Sequence, residues 1–196
     1  FLEGAVGDTT FPDLRLVVLG GERVDHGAVA LTRQLFGQHV EVANGYGTTE
    51  TGVLTFWFTR PDELQDDEVA VPAGFPIEGM VLEVLDDEGE PVPEGQTGEL
   101  HVRSRHLFAG YRGHPELDEM VLREDPDTGL PTYRTGDLAR LRPDGALELA
   151  GRVDTQVKVR GRRVVLAEVE ELLLGHPRLK DAAVVAGRDG AGHLLV

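Results

Sequence analysis

The sequence contains no cysteine, which excludes disulfides, thiolate metal sites and cysteine nucleophiles. A reducing compartment fits that absence, and the cytoplasm is the expected location. No apolar run approaches the length needed to cross a bilayer, and nothing at its start reads as a signal peptide. No membrane partner is therefore expected. Positive charge is scarce: 19 Lys plus Arg stand against 35 Asp plus Glu, a formal net charge of −16. That balance argues against a nucleic-acid partner, which needs a basic face for the phosphate backbone. The seven His are scattered without a pair at metal-ligand spacing, and no Ser-His-Asp ordering stands out. The chain does not read as a zinc protein or a hydrolase.

What is present is an ordinary globular composition, 40% hydrophobic over 196 residues, enough for a packed core and one domain or one and a half. Phe1 to Thr10 shows no periodicity and reads as a loop. Leu14 to Leu19 is an apolar run of strand length, expected to be buried on both faces, and ends in Gly20-Gly21-Glu22. Asp25 reads as the N-cap of a helix through Leu31 and Leu35, closed by Gly37. His39 to Ala43 is a second short strand, followed by a loop, Asn44-Gly45-Tyr46-Gly47-Thr48-Thr49-Glu50. Strand, helix, strand at this spacing predicts a βαβ unit and a parallel sheet. Ligands of such sheets bind beyond the carboxyl ends of the strands, and both unusual loops fall at that edge.

The loops have the chemistry for a nucleotide. Glycines let a flat ligand approach the backbone, although a plain turn would use them too. Tyr46 offers an aromatic face, Thr48 and Thr49 offer hydroxyls to phosphate oxygens, and Glu50 offers a hard oxygen of the kind Mg²⁺ shares with phosphates. A polar turn with a packing tyrosine is the alternative.

Between Thr59 and Pro72 the acidic PDELQDDEVAVP reads as a solvated linker. Val81–Leu85 and Gly98–Arg103 then alternate apolar and polar residues, as antiparallel strands of a half-exposed sheet or small barrel do. Arg142-Pro143-Asp144-Gly145 reads as a hairpin turn. A helix over 167–174 is expected to bury Val169, Leu172 and Leu173, with a last strand over 182–186.

The densest stretch runs from Tyr133 to Arg163, YRTGDLARLRPDGALELAGRVDTQVKVRGRR. It holds Asp137 on a tight Thr135-Gly136-Asp137 turn, then Arg152, Lys158, Arg160, Arg162 and Arg163 against one acid, Asp154. A basic strip on an acidic body suggests an anionic partner, most simply a phosphate; neutralisation by Asp154 and neighbouring Glu is the other reading. The composition changes at Gly151-Arg152-Val153-Asp154, which predicts a boundary near Asp154, with domains 1–153 and 154–196.

YRTGDL followed by GRVDTQVKVRGRRV resembles the adenylate-forming enzymes, specifically the amino-acid adenylation domains of nonribosomal peptide synthetases. NGYGTTE is similar to the family's NxYGPTE motif, with Thr48 in the proline position, and GELHVRS…AGY resembles a further, structural block. The resemblance implies an α/β fold with α+β character in the C-terminal part. It would comprise a parallel-sheet segment and an antiparallel β subdomain of the core, plus the start of a small C-terminal α+β subdomain. It also implies a two-step activity: ATP and Mg²⁺ activate an amino acid or other small carboxylic acid as the acyl adenylate, and the acyl group passes to phosphopantetheine on a peptidyl carrier protein.

The roles it implies follow motif by motif. Gly20, Gly21 and Glu22 lie along the adenine with Tyr46, Thr49 meets phosphate, and Glu50 holds Mg²⁺. Asp137 takes the ribose hydroxyls, Arg152 anchors ribose and phosphate, Asp154 is a hinge, and Lys158 serves thioester formation. Val18, Gly20, Gly45, Val53 and Leu54 match the family's specificity positions in part and would form one apolar wall of the acid pocket. The family's phosphate loop and its late lysine match nothing here. Upstream and downstream parts of the same adenylation domain are thus expected partners, the chain alone is expected to be inactive, and an MbtH-like protein is a further partner the resemblance allows. An acyl- or aryl-CoA ligase, a luciferase-like enzyme, or a non-catalytic adenylation-like module would carry most of the same residues.

Overall fold

The apolar run at the start forms strand β1 (Leu16–Gly20), and the helix after it, α1 (His26–Phe36), begins where Asp25 caps it. The Ala28 N–H donates to the Asp25 carboxylate at 2.8 Å, satisfying one of the donors the first turn leaves open. Gly37 ends the helix with φ 109°, in a region where a Cβ is disfavoured. Strand β2 (Glu41–Thr48) returns parallel to β1, with Leu16 opposite Glu41 and Gly20 opposite Gly45. The expected βαβ unit is present in this computed structural model, which describes residues 11–60, 70–154, 156–159, 162–176, 179, 182–188 and 194–195. The expected loops at 1–10 and 61–69 fall outside the described residues.

Three expectations for this region differ from the structure. Residues 44–48 are strand rather than loop, because all of them pair with β3 (Gly52–Thr59), an antiparallel strand that the sequence reading passed over, and Asn44 and Gly45 also pair with Leu19 and Gly20 of β1. Nor is β1 buried on both faces. Leu19 packs with Val24, Val29, Val42 and Val71, whereas Leu16 and Val18, which alternate to the other face, are 43% and 50% exposed. The short β4 (Phe75–Pro76) pairs with β3 at the other edge. The end of the acidic stretch is not a solvated linker: the Val71 N–H bonds the Val24 carbonyl at 2.9 Å, and Val71 is buried.

The second sheet contains β5 (Val81–Leu85), β6 (Gly98–Arg103), β7 (Leu122–Glu124) and β8 (Pro131–Leu141) in the order β5-β6-β8-β7, with β9 (Leu147–Arg152) paired to β8. All the pairings within that order are antiparallel, as alternation predicts. Helix α2 (Pro115–Val121) precedes β7. Arg142 and Gly145 close the expected hairpin turn with a 2.8 Å backbone bond. Residues of both sheets share one cluster, in which Tyr46, Leu54, Ala73 and Met80 meet Val84, Leu100, Val102, Ala139 and Leu147. Leu54, Leu100 and Leu147 have no exposed surface, and burying each such side chain stabilises by about 1.5–3 kcal/mol. The site described below straddles this cluster.

The turn before β8 is tied by Asp125. Its carboxyl is lowered to about 2, first by hydrogen bonds from Thr128 and then by the Arg103 guanidinium. A carboxyl depressed by folding stabilises the fold above its unfolded value, near 4, and that contribution is lost as pH falls toward 2. Asp125→Asn is expected to flatten the acid limb of the stability–pH curve between pH 4 and 2. Thermal midpoints of both proteins across that window measure it.

The chain divides into two compact units, Phe1–Gly151 and Arg152–Val196. The second holds a hairpin of β10 (Gln156–Val159) and β11 (Arg162–Val165), helix α3 (Leu166–Leu174), and the pair β12 (Gly187–Arg188) and β13 (Leu194–Leu195). Here Leu172 and Leu173, expected to be buried, are 78% and 40% exposed, because the described residues of this unit do not cover that side of α3. Residues 182–186 form no strand, and the short β12 follows them instead.

Candidate functional site

The two glycine-bearing stretches meet at the carboxyl edge of the parallel pair. Gly20 is required there: a Cβ on it would lie 2.4 Å from the Gly45 carbonyl oxygen. Gly21 follows with φ 84° and open space above the position a Cβ would take. Beyond Gly45 the chain reaches Tyr46, and a register shift between Tyr46 and Gly47 opens the β2–β3 ladder. The turn Thr48–Thr51 closes it, the Thr51 N–H reaching the Thr48 carbonyl at 3.3 Å and the Thr48 N–H donating to the Thr51 hydroxyl at 3.0 Å. At the tip Thr49 is exposed while Glu50 folds inward and is 6% exposed.

Asp137 arrives from the other sheet. It does not sit on a turn, as the Thr-Gly-Asp sequence suggested, but on an irregularity inside β8. The register against β6 shifts between Glu99 and His101, and Gly136 takes φ 72°. Bulges re-aim side chains. This one is held by the Thr135 hydroxyl, which donates to the Leu100 carbonyl and accepts the Asp137 N–H, and by the Gly136 N–H on Glu99 at 3.1 Å. The Tyr46 hydroxyl donates to Asp137 Oδ2, across 91 positions of sequence.

Tyr46 lies deeper than the open aromatic platform expected for it. Its ring is 7% exposed and belongs to the core cluster, because the hydroxyl is drawn toward Asp137. Leu54 also differs from the expected pocket wall, since it is wholly inside that cluster. Val18 and Val53, 50% and 44% exposed, present surface, and Val53 lies opposite Gly47.

Three residues to which the sequence analysis gave no role in the site complete it: Phe108, Tyr111 of the AGY block and Tyr133 of YRTGDL. The Tyr111 hydroxyl donates to Glu50 Oε1 at 2.7 Å. Phe108 packs edge-on against Tyr111 at 4.8 Å and against Tyr133 at 5.5 Å, and Tyr133, two residues before Thr135 on β8, is 1% exposed. The sequence signal for Tyr111 is its place in Ala109-Gly110-Tyr111, the end of the block expected to be structural. In the second unit Arg152 makes two bonds to Asp154, Nε to Oδ1 at 2.7 Å and an Nη to Oδ2 at 2.8 Å. Lys158 is opposite Arg163 in the β10–β11 hairpin. Arg160 falls outside the described residues.

Among the described residues no group of three or more His, Cys, Asp or Glu is placed to hold a metal. Mg²⁺ bound through one carboxylate and substrate phosphates needs no such cage, and Glu50 supplies an oxygen donor of that kind.

The description "AMP-binding enzyme" belongs to the family model that matches residues 3–112, more than half of the chain. The chain belongs to this AMP-binding family. Bacitracin synthase 3 of Bacillus licheniformis is 38% identical over 183 residues, covering 93% of the chain and 3% of that synthase. A solved holo nonribosomal peptide synthetase protein containing adenylation and PCP domains, bound to a vinylsulfonamide inhibitor, superposes with TM-score 0.82 at 30% identity, over 93% of this chain and 32% of that one. The Vibrio cholerae adenylation domain AlmE, in complex with glycyl-adenosine-5'-phosphate, gives TM-score 0.79 at 28% identity over 93% of the chain and 34% of its own. The AMP-binding chain thus spans a small part of the synthase and about a third of each solved chain.

Proposed function

We propose that this chain is part of an adenylation domain that activates an amino acid with ATP to the aminoacyl-AMP and passes it to the phosphopantetheine thiol of a peptidyl carrier protein. It works with upstream and downstream parts of the same domain. The observation that carries the reading is the hydrogen bond between Tyr46 and Asp137, which joins the two motif stretches at one half-buried junction between the sheets. The carboxylate of the acid attacks the α-phosphorus and pyrophosphate leaves; the thiol later displaces AMP. The protein's part in such transfers is mainly positioning and charge stabilisation.

Gly20, Gly21 and Glu22, with Tyr46, border the adenine end. Asp137 accepts from the ribose hydroxyls, which a rigid carboxylate does well. Thr49, exposed at the turn tip, meets phosphate, and Glu50 supplies an oxygen to Mg²⁺, whose charge offsets that of the phosphates. Val18, Gly20, Gly45 and Val53 line one side of the acid pocket with apolar or absent side chains, with Leu54 supporting that wall from the core. Arg152 anchors ribose and phosphate when it leaves Asp154. Asp154 is the hinge between core and small subdomain, and Lys158 serves the thioester step. An MbtH-like protein is a further partner of the assembled domain.

In the domain assembled with its upstream and downstream parts, exchange of labelled pyrophosphate into ATP is expected to depend on an amino acid. No exchange with any acid, in a folded protein that binds ATP, leaves only a binding module. Exchange with aryl or fatty acids and transfer to free CoA would favour a CoA ligase. Proline fixes φ near −65°, so Asp154→Pro is expected to spare exchange or transfer and cripple the other, and equal loss of both would misplace the hinge.

A further inference from the structure

Glu50 is held at both ends by a single short loop. Its backbone carbonyl accepts the Phe108 N–H at 2.8 Å, and its carboxylate accepts the Tyr111 hydroxyl at 2.7 Å. The loop is itself anchored: the Tyr111 N–H donates to Asp118 of α2 at 2.7 Å, and the Phe108 ring is wedged against Tyr111 and the buried Tyr133. A carboxylate that is 6% exposed requires hydrogen-bond donors in exchange for lost water, and a side chain with three rotatable bonds loses its freedom when one oxygen is pinned. From this we infer that Tyr111 is a positioning residue. It fixes the plane of the Glu50 carboxylate so that the divalent cation accompanying ATP meets a preset oxygen. The inference rests on the reading of Glu50 as a ligand to that cation.

The chemistry of such an arrangement is general. Mg²⁺ tolerates little departure from octahedral geometry, so a carboxylate free to rotate gives up affinity each time it is ordered by the ion. A hydrogen bond from a rigid aromatic hydroxyl orders it beforehand. Tyr111→Phe removes that hydroxyl and keeps the ring against Phe108, so the packing of the loop is preserved.

The test uses the complete adenylation domain that contains this chain, with Mn²⁺ as the probe ion. Free Mn²⁺ is followed by electron paramagnetic resonance during titration in the presence of ATP. ATP binding without metal is measured separately by calorimetry. Tyr111→Phe is expected to raise the Mn²⁺ dissociation constant about tenfold, the lower end of what losing a partner of a metal ligand costs. Metal-free ATP binding should be unchanged. Tyr111→His, which retains a ring N–H, should recover part of the loss, and adding Tyr111→Phe to Glu50→Gln should cost nothing further. If Glu50→Gln weakens Mn²⁺ binding and Tyr111→Phe does not, the positioning role is overturned while the ligand reading stands. If Tyr111→Phe weakens metal-free ATP binding equally, Tyr111 is a structural residue only and the inference is also overturned. If Glu50→Gln itself leaves Mn²⁺ binding unchanged, the ligand reading fails and the inference with it.

Discussion

Replacing Asp137 by alanine in the assembled domain is expected to weaken ATP binding by about 3 kcal/mol, more than a hundredfold in dissociation constant. That is the loss of two hydrogen bonds to a charged acceptor, at about 1.5–3 kcal/mol each in isolation. The size of the effect depends on rigidity, and the surroundings of Asp137 supply it. The Thr135 hydroxyl ties the Asp137 N–H to the Leu100 carbonyl, Gly136 is pinned to Glu99, and the Tyr46 hydroxyl holds one carboxylate oxygen. A carboxylate already ordered loses little entropy on meeting a ribose. The alanine variant also removes the hydrogen bond that the Tyr46 hydroxyl gives to Asp137, and a bond to a charged group is worth about 1.5–3 kcal/mol in stability. Calorimetric titration with ATP, alongside chemical denaturation, separates the two effects. An ATP affinity equal to that of the unaltered domain would remove Asp137 from the nucleotide site.

A large structural effect is expected at Gly47. A Cβ there would sit 1.9 Å from the Gly52 carbonyl oxygen and 2.9 Å from both Gly52 C and Val53 Cα. These are backbone atoms of the facing strand, so no side chain can swing aside, and Gly47→Ala must pry the hairpin open at its register shift. The cost is expected to reach about 3–5 kcal/mol, the range where single substitutions become exceptional. Gly52→Ala, one turn away, is the control. Gly52 has φ 66° and no atom within 4 Å of the added Cβ, so it bears only the left-handed backbone penalty of about 1–2 kcal/mol. Urea denaturation of both variants ranks them. If Gly52→Ala is the more damaging, backbone conformation rather than steric closure governs this turn. Because the opened turn carries Glu50, Gly47→Ala should also lose cation-dependent ATP binding before the protein unfolds.

The comparison of these glycines shows what a sequence discloses and what it hides. The βαβ unit was legible because a β-branched run, an Asp cap and a closing glycine each act over a few residues. So was the antiparallel sheet, whose alternation reflects one covered face. The strand through Asn44–Thr48 was not, because Asn and Gly carry weak strand preference and the stretch is held there by pairing with β3, and at Asn44 and Gly45 with β1 as well. Thr135-Gly136-Asp137 looked like a turn for a related reason: glycine at positive φ serves a bulge as well as a turn, and only the facing β6 decides which. The bond of Tyr111 to Glu50 was invisible because the two lie 61 positions apart, beyond the reach of any local period. The depth of Leu54 in the core was not legible because pocket wall and core ask for the same apolar side chain.

The junction between Tyr46 and Asp137 has a consequence for biosynthesis. Their separation of 91 residues makes the site a contact of high order, slow to form because loop closure must precede it. A ribosome adding roughly 5–20 residues per second would expose Tyr46 some 5–20 s before Asp137 appears. Early in that interval Tyr46 and Leu54 lack all of the second sheet; β5 and β6 then supply Val84, Leu100 and Val102, but Ala139 and Leu147 of the same cluster follow only with β8 and β9. The nascent chain therefore carries an incompletely covered apolar face until β8 and β9 are made, which is the period in which chaperones and misassembly compete for it.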